Sequence, residues 1–235
     1  MLAIFKRELK GYFTGAIGYA FLFIYLAVAG IMFAALTMFS MSSDVTTFYS
    51  FMLVLSAVAL PILTMKSFSE ERKTKTEQLL LTAPVSLTAM VFGKLLASYV
   101  IYAGCIVLTS LYFLFLIPFT QLQFTVLIGN VLAMLMVGLV FISIGLFVSA
   151  LTENQLAAAI GTMGIILAFL GIGLISSLFP ADYLIRFILD GLSVFTRFQS
   201  FVNGYFDFAT VLYYLSVGAV FIWLTIRVFD RRRYS

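Results

Sequence analysis

Side chains able to do chemistry are few in this chain, and most of them gather in one segment. Its 235 residues include no histidine, and Cys105 is the only cysteine. Imidazole acid–base catalysis, Ser–His and Cys–His nucleophiles and the usual zinc sites are thereby excluded. Cys105 lies in apolar sequence, has no partner for a disulfide within the chain, and reads as a small buried hydrophobe. No G-x-x-x-x-G-K-[ST] run occurs; Val91-Phe92-Gly93-Lys94 is a fragment of one and leads straight into apolar sequence. Charge concentrates instead between Ser67 and Lys94, where Glu70, Glu71, Arg72, Lys73, Lys75 and Glu77 precede Leu79, Leu80 and Leu81. Interleaved acids and bases beside three leucines suit a docking surface for a soluble partner better than a reaction centre. A solvated connector is the competing reading. Pro84 disfavours helix at Ala83, and Ser86 or Thr88 is placed to cap a new one, so the segment reads as short helix, turn and second helix.

The elements that position this segment are membrane spans. The stretch Leu95 to Thr152 carries no charge and is broken only by the turn-prone run Ile117-Pro118-Phe119-Thr120-Gln121. A bilayer span needs about 20 apolar residues, so the stretch is two helices folded back on each other. With 63% hydrophobic and 10% charged residues, the whole chain follows that plan. Six helical spans are expected, at about 17–38, 46–66, 95–117, 124–150, 155–178 and 208–227. Uninterrupted apolar runs of this length exclude the alternating pattern of a membrane barrel. The net charge of +4 does not point to nucleic acid, because the basic residues form short clusters between spans. Of the 14 Lys and Arg residues, only Arg186 and Arg197 fall on one side; the others share the side of both termini and of the loops 67–94 and 151–154. By the positive-inside rule both termini are cytoplasmic.

Two more segments are polar without being spans. In residues 1–13, Leu2, Phe5, Leu9 and Tyr12 recur at helical spacing, with Lys6, Arg7, Glu8 and Lys10 mostly on other faces. An amphipathic helix on the inner leaflet is expected there, a plain basic flank being the alternative. Residues 179–207 are too charged for a span and too apolar for a free loop. Asp182, Arg186 and Asp190 form one polar stripe, Leu184, Ile185, Ile188, Leu189 and Leu192 form the apolar side, and Gly191 is expected to end the helix. Two short helices dipping into the outer leaflet follow, with a helix lying flat on the surface as the alternative. Small residues recur as Gly161, Gly164, Ala168, Gly171 and as Gly138, Gly145, Ser149, which permits close helix packing. No Asp, Glu, Lys or Arg lies near the middle of a span, which argues against a proton- or sodium-coupled carrier. Any work on a substrate draws its energy from another chain.

Several of these segments together resemble the membrane subunits of type-2 ABC exporters, in particular the small six-span permeases similar to the gliding-motility ABC permease. The likeness covers essentially the whole chain. It is carried by Phe5-Lys6-Arg7-Glu8-Leu9, by Ser69-Glu70-Glu71-Arg72, Thr76-Glu77-Gln78-Leu79-Leu80, Ala83-Pro84-Val85-Ser86 and Gly93-Lys94, by the outer hairpin, and by the ending Tyr213-Tyr214-Leu215-Ser216 through Arg231-Arg232-Arg233. Lys75 stands where many relatives have glycine. The resemblance implies an elbow helix at Phe5, Lys6, Arg7 and Leu9. It implies a coupling helix in the first inner loop, with Glu70, Glu71, Arg72 and Glu77 as rim contacts to an ATP-binding subunit, Leu79 to Leu81 as the apolar anchor and Pro84 in the turn. The loop Thr152-Glu153-Asn154 would be a second, smaller contact, through Glu153. ATP and magnesium would be bound by the partner, with no cofactor in this chain, and a second permease subunit, identical or not, would complete the path in a bacterial cytoplasmic membrane. The charge-free, Phe- and Tyr-rich interior suits lipid-linked, peptide or otherwise amphipathic cargo. The alternative function is an ATP-driven mechanotransmitter or scaffold of an envelope or gliding complex that moves no solute.

Overall fold

A computed structural model describes residues 1–40, 44–76, 86–116, 124–180, 184–202 and 207–233, without the side chains of Phe187 and Ser200. Among the described residues every regular element is helical, and six helices are long and apolar enough to cross a membrane. The protein is an all-α, multi-pass membrane protein. Helix α1 is Leu2–Thr14, and α2, Ala16–Phe33, is extended by a π-helical turn to Met38. Then come α3 (Val45–Thr64), α4 (Lys66–Lys73), α5 (Leu87–Leu111, with a 3-10 turn to Leu116), α6 (Phe124–Leu151), α7 (Gln155–Ser176), α8 (Leu184–Leu192), α9 (Val194–Val202) and α10 (Phe208–Arg233).

Three helices outrun the uncharged stretches that defined their expected spans. The second span continues through Lys66 to Lys73, the third starts at Leu87, and the last runs on to Arg233. Charge marks where the bilayer ends, not where a helix ends; Lys, Arg and Glu are good helix formers. The helix breaks have local causes. Asp44 caps α3 by accepting from the N–H of Thr46 at 2.9 Å, and Ser86 caps α5 by accepting from Ala89 N–H at 3.3 Å. Between α3 and α4 a side chain from α6 enters the backbone ladder: the Ser149 hydroxyl accepts from the N–H groups of Phe68 and Ser69 at 3.0 and 3.1 Å and donates to the Met65 carbonyl at 3.1 Å. The turn at Met65 follows from that insertion.

Helix α6 is the centre of the bundle. It is the most buried of the six spans and packs against α3, α5, α7, α9 and α10, as expected of a helix apolar all round. Gly138 and Gly145 make this possible: a Cβ at Gly138 would collide with the Tyr102 ring of α5, and one at Gly145 with the Thr64 side chain of α3. The other small-residue stripe behaves differently. Gly164 and Gly171 of α7 face open space, and of that stripe's glycines only Gly161 approaches a neighbour within the described chain, where a Cβ would lie 3.1 Å from Val148 Cγ1 of α6.

At the end remote from the termini, α8 and α9 form the helical pair expected of residues 179–207. Asp182 lies outside the described residues, while Arg186 and Asp190 pair at 3.5 Å and Arg186 also donates to the Phe179 carbonyl at 3.0 Å. Gly191 lies inside α8 and does not end it. The break falls at Ser193, whose hydroxyl caps α9 by accepting from Thr196 N–H at 3.1 Å. Helix α9 is the buried member, with Val194, Phe198 and Phe201 in the core and Tyr214 of α10 donating to the Val194 carbonyl at 3.0 Å. The apolar side of α8 points outward: Leu184, Ile185, Ile188 and Leu192 are all exposed.

Candidate functional site at the basic end

The basic clusters that lie far apart in sequence come together at one end of the bundle, and a single buried ammonium organises them. Lys94 is reached by continuing α5 backward from its apolar run; only 2% of its side chain is exposed. An ammonium this deep is costly unless paired and fully hydrogen-bonded. Lys94 Nζ donates to the Ser67 carbonyl at 2.6 Å and to Glu71 Oε1 at 2.8 Å, lies 3.3 Å from Glu8 Oε2, and sits 4.9 Å from the centre of the Phe68 ring. Its three donors therefore each have a partner. Arg7 closes the cluster, 2.7 Å from Glu8 and 3.3 Å from Glu71. Two cations and two carboxylates cancel, and they tie α1, α4 and α5 to one another.

Helix α1 is set into this cluster by its own geometry. Gly93 lets it approach, since a Cβ there would lie 3.0 Å from Ile4 Cγ2. Tyr12 is the second anchor: its hydroxyl donates to the Leu63 carbonyl at 3.2 Å and lies 2.9 Å from Ser98 Oγ. Burial pushes the Tyr12 phenol up to about 12, so it stays protonated and able to donate. The inward line of α1 is Ile4, Glu8 and Tyr12, with Phe5 and Leu9 partly covered, whereas Leu2 is 73% exposed. Glu8 thus belongs to the inward face, against the expected polar grouping, because Lys94 supplies a partner there. Lys6 remains exposed.

A second junction lies beside the first. Helix α6 ends at Leu151 with carbonyls that have no intrahelical partner. Arg72 of α4 donates to the Leu151 carbonyl at 2.8 Å, and Arg232 of α10 to the Ala150 carbonyl at 2.6 Å. Cations at a helix C-terminus also meet its negative dipole end. Arg72 then reaches Glu153 at 3.0 Å, and Asn154 caps α7 through Leu156 N–H at 3.0 Å. The rings of Phe68 of α4 and Phe229 of α10 meet at 4.7 Å, tilted by 50°. All three segments expected at the inner side, 1–13, 67–94 and 151–154, are joined here.

The sequence-expected residues divide accordingly. Glu71 is held in the Lys94 cluster, while the side chains of Glu70, Arg72 and Glu153 stay partly exposed. Glu77, Leu79, Leu80, Leu81 and Pro84 lie outside the described residues. Lys75 has φ 57°, the left-handed conformation that glycine adopts without strain. Sequence reasoning missed Lys94, Glu8, Ser149 and Arg232. The signal for Lys94 was a lone cation bounded by Gly93 and apolar residues, inside a helix already expected to begin at Ser86. Among the described residues no three His, Cys, Asp or Glu side chains converge as metal ligands. The arrangement holds charges in fixed relation and connects helices.

Comparison with known protein families matches residues 40–227 to the ABC-2 family transporter proteins. The chain belongs to this family. It is therefore a permease subunit, the membrane component of an ABC transporter, and works with an ATP-binding subunit. The matched range contains the last five spans in whole or in large part, together with α4 and the turn at 152–154, and begins just after the first span, Ala16–Met38. No curated protein matches the chain. At its two junctions, polar contacts join α1, α4 and α5, and join α4, α10 and the end of α6.

Proposed function

We propose that this permease forms the substrate path of an ATP-driven exporter, similar to the gliding-motility ABC permeases, and takes its power stroke at the basic end. Both termini and that end face the cytoplasm of a bacterial inner membrane, in line with the lopsided distribution of Lys and Arg. The observation that carries the reading is the continuous junction from Glu8 through Lys94 and Glu71 to Arg72 and Glu153. Any displacement of residues 67–85 by a partner is passed to α3 and α5, to the α6–α7 turn and to α1. Glu70, Arg72 and Glu153 are the rim contacts, Leu79 to Leu81 the apolar anchor, and Glu71 keeps the loop fixed to the spans. Helix α1 serves as the elbow helix. Two permeases and two ATP-binding subunits make the transporter, the latter holding ATP and magnesium. Amphipathic, lipid-linked or peptide cargo suits a path without charge.

The test is copurification. The tagged protein, gently solubilised from its native membrane, is expected to bring an ATP-binding chain of roughly 25–35 kDa, the size of one or two domains. Changing Leu79, Leu80 and Leu81 together to Asp places three charges in the contact and is expected to release that chain, since burying unpaired charge costs several kcal/mol. A wild-type protein that arrives without any nucleotide-binding partner defeats the coupling proposal.

A further inference from the structure

A cleft of about 420 Å³ opens at the basic end between α1, the bend at Gly15 and the start of α4; Glu8, Tyr12, Thr14, Ile17, Lys66 and Glu70 line it. That volume is in the range of small-molecule sites. Its depth is set by Lys66, the first charged residue after the apolar stretch of the second span, which places it where a span passes from hydrocarbon to headgroups. On α2, Ala16, Tyr19 and Phe23 share the face that leads away from the cleft, and Tyr19 and Phe23 are 59% and 76% exposed. A polar cleft thus continues into an apolar track along the same helix.

The charges in the cleft are not all committed. Glu8 is held by Arg7 and Lys94. Lys66 and Glu70 face each other at 3.8 Å, too far for a hydrogen bond, and both are more than one-third exposed. A loose pair of this kind contributes little by itself. It presents one cation and one carboxylate side by side, the complement of a zwitterion. We propose that this cleft binds the headgroup of a primary-amine phospholipid, the phosphate on Lys66 and the ammonium on Glu70, with the acyl chains along Tyr19 and Phe23. Gly15 cannot cap the first N–H groups of α2 with a side chain, and Gly15, Ala16 and Ile17 line the same cleft, which adds donors for the phosphate. A quaternary amine has no N–H to give Glu70, and an anionic glycerol headgroup leaves Glu70 opposed. Glu70 is shared with the proposed ATPase contacts, and lipid retention by the permease alone reads the site without the ATP-binding subunit.

Native mass spectrometry of the full chain in mild detergent tests this, using phosphatidylethanolamine, phosphatidylcholine and phosphatidylglycerol of identical acyl chains. Phosphatidylethanolamine is expected to be retained about tenfold better than either, the scale of one charge-assisted hydrogen bond. Glu70→Gln is expected to abolish that preference, and Lys66→Gln to weaken retention of all three lipids. Lys10→Gln, which removes a charge from exposed α1 outside the cleft, is expected to preserve it. Equal retention of the three lipids, an unchanged preference in Glu70→Gln, or an equal loss in Lys10→Gln overturns the assignment. Soluble phosphoethanolamine competing as well as the intact lipid overturns the lipid as the ligand. Both substituted side chains are exposed, so a folding defect does not confound the result.

Discussion

Lys94 shows how one side chain can bind three helices when its charge has nowhere else to go. Replacing it with Met removes the buried ammonium and leaves Glu8 and Glu71 with only the exposed Arg7 as a shared cation. We expect Lys94→Met to lose about 3 kcal/mol of stability, the usual cost of breaking a buried ion pair from one side, as read by chaotrope unfolding in detergent. Unfolding at the wild-type midpoint would show the cluster to be idle. Lys75 makes the opposite prediction. Its φ of 57° costs an ordinary residue about 1–2 kcal/mol, which exceeds the entropy glycine adds to the unfolded chain. Lys75→Gly is therefore expected to be neutral or mildly stabilising, whereas Lys73→Gly, inside α4, should lose about 1 kcal/mol. Equal losses in the two variants would mean that the left-handed turn is not maintained. Tertiary contact decides the glycines in the same way. Gly138→Ala and Gly145→Ala overpack α6 against Tyr102 and Thr64 and should each cost about 1–3 kcal/mol. Gly164→Ala, facing open space, should cost nothing measurable in the same assay.

Caps explain where elements begin, and one of them titrates. Asp207 starts α10 by accepting from Ala209 N–H and the Thr210 hydroxyl, both at 2.9 Å, and these bonds hold its carboxyl below the ordinary carboxylate value. Because the folded value is the lower one, the contribution of the cap is complete above the unfolded value of about 3.9. It is lost as pH falls through the folded value. Thermal unfolding of wild type should therefore steepen its pH dependence below about pH 4 relative to Asp207→Asn; parallel curves would show that the cap contributes nothing. Helix α1 is anchored by Tyr12 as well as by charge. Tyr12→Phe removes two hydrogen bonds and is expected to cost about 1 kcal/mol and to speed hydrogen exchange in residues 2–14 ahead of the spans.

At the scale of the whole molecule, α6 forms the axis, and the chain's polar contacts concentrate at its two ends. Toward the termini, Ser149, Arg72 and Arg232 fasten α6 to α4 and α10. Away from them, α9 is wedged against α6 and held by Tyr214 of α10. The long sides of α2 and α7 stay largely uncovered, as suits helices that meet lipid or a second permease.

Spans, their number, the amphipathic start and the helical pair before the last span were legible in the sequence, because the bilayer's demand for apolar length and internally bonded backbone acts on each segment separately. A helix cap at Ser86 or Thr88 was legible for the same local reason, and Ser86 is the one that caps. What only the tertiary structure decided is which polar residues face inward. Glu8 turns toward the bundle because Lys94 lies opposite, Glu71 joins the cluster while Glu70 stays at the rim, and Ser149 breaks the helix between Thr64 and Lys66. Each of these depends on a partner between 23 and 86 residues away in the chain. No local pattern specifies such a partner; it is set by the close packing of helices whose apolar faces alone do not fix their register.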